Sequence, residues 1–260
     1  MNNLRISILQ TDIVWENKRE NLSFCSKEIR TLHGKIDLVC LPEMFSTGFS
    51  MKAADLAETN DGETITILRN LASKGEMAIC GSFLAKDDSG KIFNRGFFIQ
   101  PDGKTDFYDK RHLFRMGEEN ATFSAGKKPL IVSYKGWKIR LIVCYDLRFP
   151  AWCRCFDNDY DLLICPANWP TARANVWQTL LRARAMENQC YVCGVNRVGT
   201  DGIGIVHQGD SVLLDFKGKT IVETEKNKFS VVTGTINLEQ LSNFRAKFPA
   251  WKDADKFVFL

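Results

Sequence analysis

The sequence has no long hydrophobic run. Its longest unbroken apolar stretch is five residues, Leu141 to Tyr145, whereas a membrane-spanning helix needs about 20 and the apolar part of a signal peptide about 7–15. The first residues, Met1 to Arg5, also lack a charged segment followed by an apolar one. We therefore expect a cytoplasmic protein with no membrane partner.

An excess of one charge is also missing. The 35 Lys and Arg against 31 Asp and Glu leave a net charge of +4 over 260 residues, which is too small to indicate a nucleic-acid-binding surface. The nine cysteines make up about 3% of the chain, well below the roughly 8–10% of a disulfide scaffold. Their low share and odd number favour free thiols in a reducing compartment.

Histidine is scarce, and no metal-ligand spacing is present. The three histidines, His33, His112 and His207, are scattered along the chain. Cys190 and Cys193 lie in a strand-like segment, where side chains three residues apart point to opposite faces. We therefore expect no metal site. The Gly199–Gly204 segment does not match a phosphate-binding fingerprint, so we expect no cofactor and interpret it as a loop near the pocket.

What is present is the composition of a globular chain, with 45% hydrophobic and 25% charged residues. Residues 6–9 and 37–41 are short and apolar, and between them apolar residues recur at three- and four-residue steps from Leu22 to Leu32. This pattern predicts a β-α-β unit at the start of the chain. Pro101 to Lys104 predicts a tight turn between paired strands, so the sheet structure should mix parallel and antiparallel pairs.

The whole pattern predicts about nine strands and four or so helices without a linker, which favours a single domain over residues 1–260. We expect an α/β fold in which two mixed sheets pack face to face with helices outside, because one nine-stranded sheet with few helices would leave a face in water. The further predicted strands cover residues 77–83, 94–100, 139–144, 161–165, 190–196, 211–214 and 231–236, and the further helices residues 63–73 and 175–188.

Three strand ends carry chemically useful side chains. Residues 140–150 indicate a buried strand that ends at Cys144 and turns into a helix, where backbone N–H groups would favour a thiolate and hold an oxyanion. Glu43 follows the apolar strand 38–41, and Lys110 follows the strand after Lys104. Taken singly, each has an ordinary explanation, because Cys144 is one of nine cysteines and strand-end charges are usually solvated.

Together these segments resemble the nitrilase or carbon–nitrogen hydrolase superfamily, whose catalytic triad is Glu, Lys and Cys in that chain order. Leu41–Met44, Asp109–Leu113 and Cys144–Pro150 are similar to its three motifs. The resemblance implies an α-β-β-α sandwich that forms a homodimer or a higher homo-oligomer. It also places a second glutamate at Glu119, although Glu118 is adjacent.

Other segments resemble the omega-amidase subgroup of that superfamily, namely Lys110–Met116, Ala167–Pro170, Arg182–Gln189 and Lys247–Asp255. This resemblance implies a small-molecule substrate, the terminal amide of a 2-oxo acid such as 2-oxoglutaramate or 2-oxosuccinamate. It also implies hydrolysis through a thioester on the cysteine.

The roles follow from the needs of amide hydrolysis. Cys144 would attack the carbonyl, and Glu43 would act as acid and base. Lys110, with the N–H of Tyr145, would stabilise the oxyanion, and Glu119 would orient Lys110 or the substrate amide. A substrate carboxylate needs a cation, for which Arg148, Arg173 and Arg197 are candidates, while Phe49, Phe114 and Trp169 are candidate pocket walls.

Three alternatives stay open on the sequence. The first is another carbon–nitrogen hydrolase with the same triad, such as a nitrilase, a carbamoylase or a deaminated-glutathione amidase. The second is a catalytically silent small-molecule binding protein of the same fold. The third is a Cys–His amidase on a different fold, which the scattered histidines disfavour.

Overall fold

Two six-stranded mixed sheets form the centre of the protein in a computed structural model that describes residues 3–259. The first sheet has the order β14-β1-β2-β3-β4-β5, in which β1 pairs parallel with β2 and β2 with β3, while the other pairs are antiparallel. Its strands are β1 (Asn3–Gln10), β2 (Leu38–Cys40), β3 (Ala78–Lys86), β4 (Ile92–Ile99), β5 (Thr105–Asp109) and β14 (Ser230–Asn237).

The second sheet has the order β13-β12-β9-β8-β7-β6, with β7, β8 and β9 parallel. Its strands are β6 (Leu130–Tyr134), β7 (Trp137–Leu141), β8 (Leu162–Ala167), β9 (Tyr191–Asn196), β12 (Val212–Leu214) and β13 (Thr220–Glu223). A separate antiparallel hairpin consists of β10 (Val198–Thr200) and β11 (Val206–Gln208).

Seven α-helices accompany the two sheets within residues 3–259. They are α1 (Lys18–Thr31), α2 (Ala53–Leu56), α3 (Glu63–Gly75), α4 (Glu119–Thr122), α5 (Pro150–Cys153), α6 (Ala174–Asn188) and α7 (Leu238–Lys247), and 3-10 turns cover Arg115–Gly117, Cys144–Arg148, Thr171–Arg173 and Ala250–Asp253. Within residues 3–259, none of the helices has the length and apolar character needed to span a bilayer.

Burial shows how the layers are held together. Between the sheets, Ile6 and Ile8 of β1 belong to one buried cluster with Ile139 and Leu141 of β7. Helices α1 and α3 bury their apolar stripes against the other face of the first sheet in a second cluster, as their three- and four-residue spacing predicts. Helix α6 packs on β9 and β12. The expected α-β-β-α sandwich of two mixed sheets is therefore confirmed.

The expected number of elements is wrong. Residues 3–259 contain 14 strands and seven α-helices, against about nine and four. The helices α2, α4 and α5 have four residues each, which is too short for a 3.6-residue period to show in the sequence. The strands β10, β11 and β13 have three or four residues each and lack an apolar pattern, whereas β12 lies in the predicted strand 211–214.

Candidate active site

The predicted triad residues lie around one cavity of about 710 Å³. Glu43 lies just after β2, Lys110 directly after β5 and Cys144 just after β7, and all three line the cavity. Strands β2 and β7 both have parallel neighbours, so the cavity lies at the carboxyl ends of these strands, where α/β proteins commonly bind ligands. The structure thus brings together three side chains that are remote in sequence.

Lys110 is held between two buried carboxylates. Its Nζ lies 2.9 Å from Oε1 of Glu43 and 2.9 Å from each carboxylate oxygen of Glu119. All three side chains are 0–1% exposed. Burial alone would lower the pKa of Lys110, but the charges of Glu119 and Glu43 outweigh it and hold that pKa well above its usual value. Lys110 is therefore a permanent cation.

The structure decides between the two adjacent glutamates. Glu119 is fully buried and accepts a hydrogen bond of 2.6 Å from the backbone N–H of Phe114 in addition to its contacts with Lys110. Burial raises the pKa of Glu119 despite the opposing charge of Lys110. Glu118 is exposed and lies at the cavity edge. The side chain that contacts Lys110 is thus that of Glu119.

Two asparagines that the sequence analysis did not single out complete the carboxylate cluster. Asn94 Nδ2 donates to Oε1 of Glu43 at 2.7 Å and to Oε1 of Glu119 at 3.0 Å. The backbone N–H of Asn168 donates to Oε2 of Glu43 at 2.8 Å. The available signal was a polar residue inside an apolar strand for Asn94, and the strand-end position for Asn168.

Cys144 has a different environment from the one the sequence predicts. Strand β7 ends at Leu141, and Cys144 begins a five-residue 3-10 turn with a left-handed backbone, φ +47°. So short a turn has little helix dipole. Burial and the Glu43 carboxylate raise the pKa of the Cys144 thiol well above its usual value, although Lys110 opposes them. Cys144 thus begins a short 3-10 turn instead of facing the N-terminus of a helix, and its surroundings favour the thiol over the thiolate.

Hydrogen bonds of the Asp146 side chain hold the 3-10 turn Cys144–Arg148, called the Cys144 turn, in place. Its Oδ2 accepts hydrogen bonds from the Tyr108 hydroxyl at 2.7 Å and from the backbone N–H of Val143 at 3.1 Å. Its Oδ1 accepts from the backbone N–H of His112 at 2.9 Å and lies 2.8 Å from that residue's Nδ1. Asp146 is fully buried, so these bonds fix the segments that carry Lys110 and Cys144 relative to each other.

All the predicted substrate-binding residues except Arg197 line the cavity. The Arg148 guanidinium lies 5.1 Å from the Trp169 ring centroid, and that of Arg173 lies 5.4 Å from the Phe114 ring centroid. The rings of Tyr145 and Phe114 are in edge contact at 5.1 Å. Within residues 3–259, neither Arg148 nor Arg173 forms an ion pair with a carboxylate.

The structure excludes the third candidate cation. Arg197 is fully buried, does not line the cavity and is paired with Asp12 at 2.9 Å. Phe49 lines the cavity as predicted, and the Lys110 Nζ lies 5.4 Å from its ring centroid. Asp201 and Ile203 place the Gly199–Gly204 loop at the cavity, as the sequence predicts. In the part of the chain the structure describes, no group of His, Cys, Asp or Glu side chains could hold a metal ion.

Comparison with known proteins is consistent with this geometry. The chain matches the family model of the carbon–nitrogen hydrolases over residues 5–246. It is 41% identical to omega-amidase YafV of Escherichia coli K12, with 99% of each chain covered, and 29% identical to 2-oxoglutaramate amidase of Bacillus subtilis, with 98% of each covered.

A crystal structure from Xanthomonas campestris superposes on this fold with a TM-score of 0.97, at 44% identity and with 100% of both chains covered. It is described as a CN-hydrolase superfamily protein with an arsenic adduct in its active site. The family model spans most of the sequence, and the sandwich fold agrees with that of the superposed structure. This chain belongs to the carbon–nitrogen hydrolase family.

Proposed function

We propose that this enzyme is an omega-amidase that hydrolyses the terminal amide of 2-oxo acids such as 2-oxoglutaramate and 2-oxosuccinamate to the dicarboxylate and ammonia. The observation that carries the proposal is the convergence of Cys144, Glu43 and Lys110 in a cavity that also presents two guanidinium groups without an ion pair among residues 3–259. The similarity to omega-amidase YafV and to 2-oxoglutaramate amidase supports it.

The first half-reaction forms a thioester. Glu43 takes the proton of the Cys144 thiol as the sulfur attacks the amide carbonyl, so deprotonation and attack occur together. Lys110 and the N–H of Tyr145 stabilise the oxyanion. A bifurcated bond from Lys110 to the two oxygens of Glu119 leaves one of its N–H groups for this purpose. Glu43 then protonates the nitrogen, and ammonia leaves.

The second half-reaction reverses these roles. Glu43 takes a proton from water as the oxygen attacks the thioester, and the oxyanion forms again beside Lys110. The bond to sulfur breaks, the product carboxylic acid leaves, and Glu43 returns its proton to Cys144. Glu119 does not line the cavity, so we assign it the role of positioning Lys110 rather than that of contacting the substrate.

Arg148 and Arg173 are proposed to bind the 1-carboxylate of the substrate. Both line the cavity and have no carboxylate partner in the part of the chain that the structure describes, and guanidinium groups bind carboxylates through two parallel hydrogen bonds. Replacing either by Gln is expected to raise KM for 2-oxoglutaramate about tenfold or more, in line with the about 1.5–3 kcal/mol of a hydrogen bond to a charged group. An amide without a carboxylate should be unaffected. Arg182→Gln on helix α6, outside the cavity, is the matched control.

The deciding experiment is ammonia release from a panel of omega-amides, paired with intact mass spectrometry for an acyl adduct on Cys144. Cys144→Ala is expected to abolish turnover with the fold intact, whereas Cys25→Ala, a buried cysteine on α1, should retain it. More than a thousandth of wild-type activity in Cys144→Ala would contradict the mechanism. If nitriles, carbamoyl compounds or deaminated glutathione are turned over faster than omega-amides, the protein has another carbon–nitrogen hydrolase activity. If it binds omega-amides without releasing ammonia, it is a silent binding protein.

We also propose that the protein works in the cytoplasm as a homodimer or higher homo-oligomer. The resemblance to the family supports the assembly, as do the exposed apolar side chains of Phe248 and Val258, which are 60% and 82% exposed. Light scattering at micromolar concentration tests the assembly, and a monomeric mass would refute it. Cell fractionation tests the location.

A further inference from the structure

We infer that Asn94 is a positioning residue that determines which oxygen of Glu43 accepts the proton of Cys144. Asn94 lies on β4, is fully buried and does not line the cavity. The inference rests on the proposed function only in taking Glu43 as the base that activates Cys144. It is independent of which amide is the substrate.

The hydrogen bonds of Asn94 fix the orientation of its amide. Its two Nδ2 hydrogens go to Oε1 of Glu43 and Oε1 of Glu119. Its Oδ1 accepts from the hydroxyl of Ser82 at 3.0 Å, and that hydroxyl in turn accepts from the backbone N–H of Met44 at 2.9 Å. The flipped amide would place its oxygen against two carboxylates and leave the Ser82 hydroxyl without an acceptor, so only one orientation is compatible with this site.

This orientation occupies one oxygen of Glu43. Oε1 accepts from Lys110 at 2.9 Å and from Asn94 at 2.7 Å, which uses both of its lone pairs. Oε2 accepts from the backbone N–H of Asn168 at 2.8 Å, whereas the Asn168 side-chain amide is a distant 3.4 Å away. Only Oε2 therefore has capacity for the proton of Cys144.

Asn94 also separates two like charges with a neutral donor. The groups that face it are the carboxylates of Glu43 and Glu119, the hydroxyl of Ser82 and, bound to the same two Oε1 atoms, the ammonium of Lys110. Asn94→Asp replaces that donor by a third carboxylate of nearly the same shape. Three carboxylates around one ammonium will hold a shared proton to higher pH, which removes Glu43 as a base.

The test compares Asn94→Asp with Asn188→Asp, the same substitution at another buried asparagine. Asn188 bonds to Arg184 O and Cys155 N and does not line the cavity. Two pH profiles are measured, kcat/KM for the best omega-amide and the rate of carbamidomethylation of Cys144 by iodoacetamide. In Asn94→Asp, the acidic limb of both should move up by about 1–2 pH units, with KM little changed.

In Asn188→Asp, both limbs should stay at the wild-type position. Unmoved limbs in a folded Asn94→Asp protein, or an equal movement in Asn188→Asp, would overturn the inference. Ser82→Ala is the second variant, because it releases the amide while keeping every charge, and it should move the limb in the same direction by a smaller amount. If Asn94→Asp does not fold, an unmoved limb in Ser82→Ala overturns the inference. The alkylation profile needs no amide, so a wrong substrate assignment leaves it intact.

Discussion

Replacing Lys110 by methionine tests whether the Lys110 ammonium stabilises the buried carboxylates of Glu43 and Glu119. Lys110 lies 2.9 Å from oxygens of both Glu43 and Glu119, so the two Oε1 atoms are at most twice that distance apart. At an effective dielectric constant of about 20, each attraction is worth about 6 kcal/mol and the repulsion between the carboxylates at least about 3 kcal/mol. Methionine keeps the side-chain volume and removes the cation.

We expect Lys110→Met to lower the free energy of unfolding by about 3–5 kcal/mol at pH 8, which is the usual cost of leaving a buried charge without its partner. The deficit should shrink as the pH falls. Without Lys110, the pKa of Glu119, which burial already raises, rises further above its value in the unfolded chain. The stabilisation from protonated Glu119 is then fully present only below the pKa that Glu119 has in the unfolded chain. It is lost as the pH rises through the pKa that Glu119 has in the folded protein.

Urea unfolding of the wild type and Lys110→Met at pH 8 and pH 5.5 measures this effect. The double variant Lys110→Met/Glu119→Gln is the control, because it removes one of the two repelling charges and should regain most of the lost stability at pH 8. A Lys110→Met protein that is as stable as the wild type at pH 8, or that has the same deficit at both pH values, would refute the stabilising role of the Lys110 ammonium.

Three other predictions concern the surroundings of the cluster. Burial and then the charge of Arg197 lower the pKa of His207 to about 4. The wild type should therefore lose up to about 3 kcal/mol of unfolding free energy as the pH falls from 6.5 to 4, and urea unfolding should show a smaller loss for His207→Gln. A Cβ at Gly126 would lie 1.9 Å from the carbonyl oxygen of Asp109, next to Lys110. Because of this clash, Gly126→Ala should cost about 3 kcal/mol of unfolding free energy and most of the activity. Near-wild-type kinetics of Gly126→Ala would refute the effect of the clash. Asp146→Asn should reduce kcat more than it raises KM in steady-state assays, because Asp146 holds the Cys144 turn rather than the substrate.

Local patterns in the sequence were sufficient to predict the layers of the fold. The apolar stripe of α1 between two short apolar segments predicts the parallel pairing of β1 and β2, and the structure confirms it. The tight turn after Gln100 predicts the antiparallel pair of β4 and β5, which is also present. Both predictions succeed because the elements involved are neighbours in sequence, so the spacing of a few residues determines their packing.

The site was only partly predictable from the sequence. Glu43, Lys110 and Cys144 stood out through their resemblance to family motifs, which carry information that spacing alone does not. Asn94 has no such mark, and Asn168 lies in the Ala167–Pro170 segment that resembles the omega-amidases but received no role there, because a single asparagine in or after a strand has many ordinary explanations. Their role depends on contacts across 51 and 125 residues of sequence with Glu43, and no local pattern encodes such contacts.

The pKa of Cys144 depends on groups that the local sequence around Cys144 does not contain. The sequence indicates a strand that leads into a helix, and thus a thiolate, but the raised pKa comes first from burial and then from Glu43, neither of which is visible in residues 140–150. The same environment protects the Cys144 sulfur from unwanted oxidation and alkylation. A neutral thiol reacts slowly with oxidants and electrophiles. Deprotonation by Glu43 therefore has to accompany attack by the sulfur, which limits efficient reaction to electrophiles that enter the cavity.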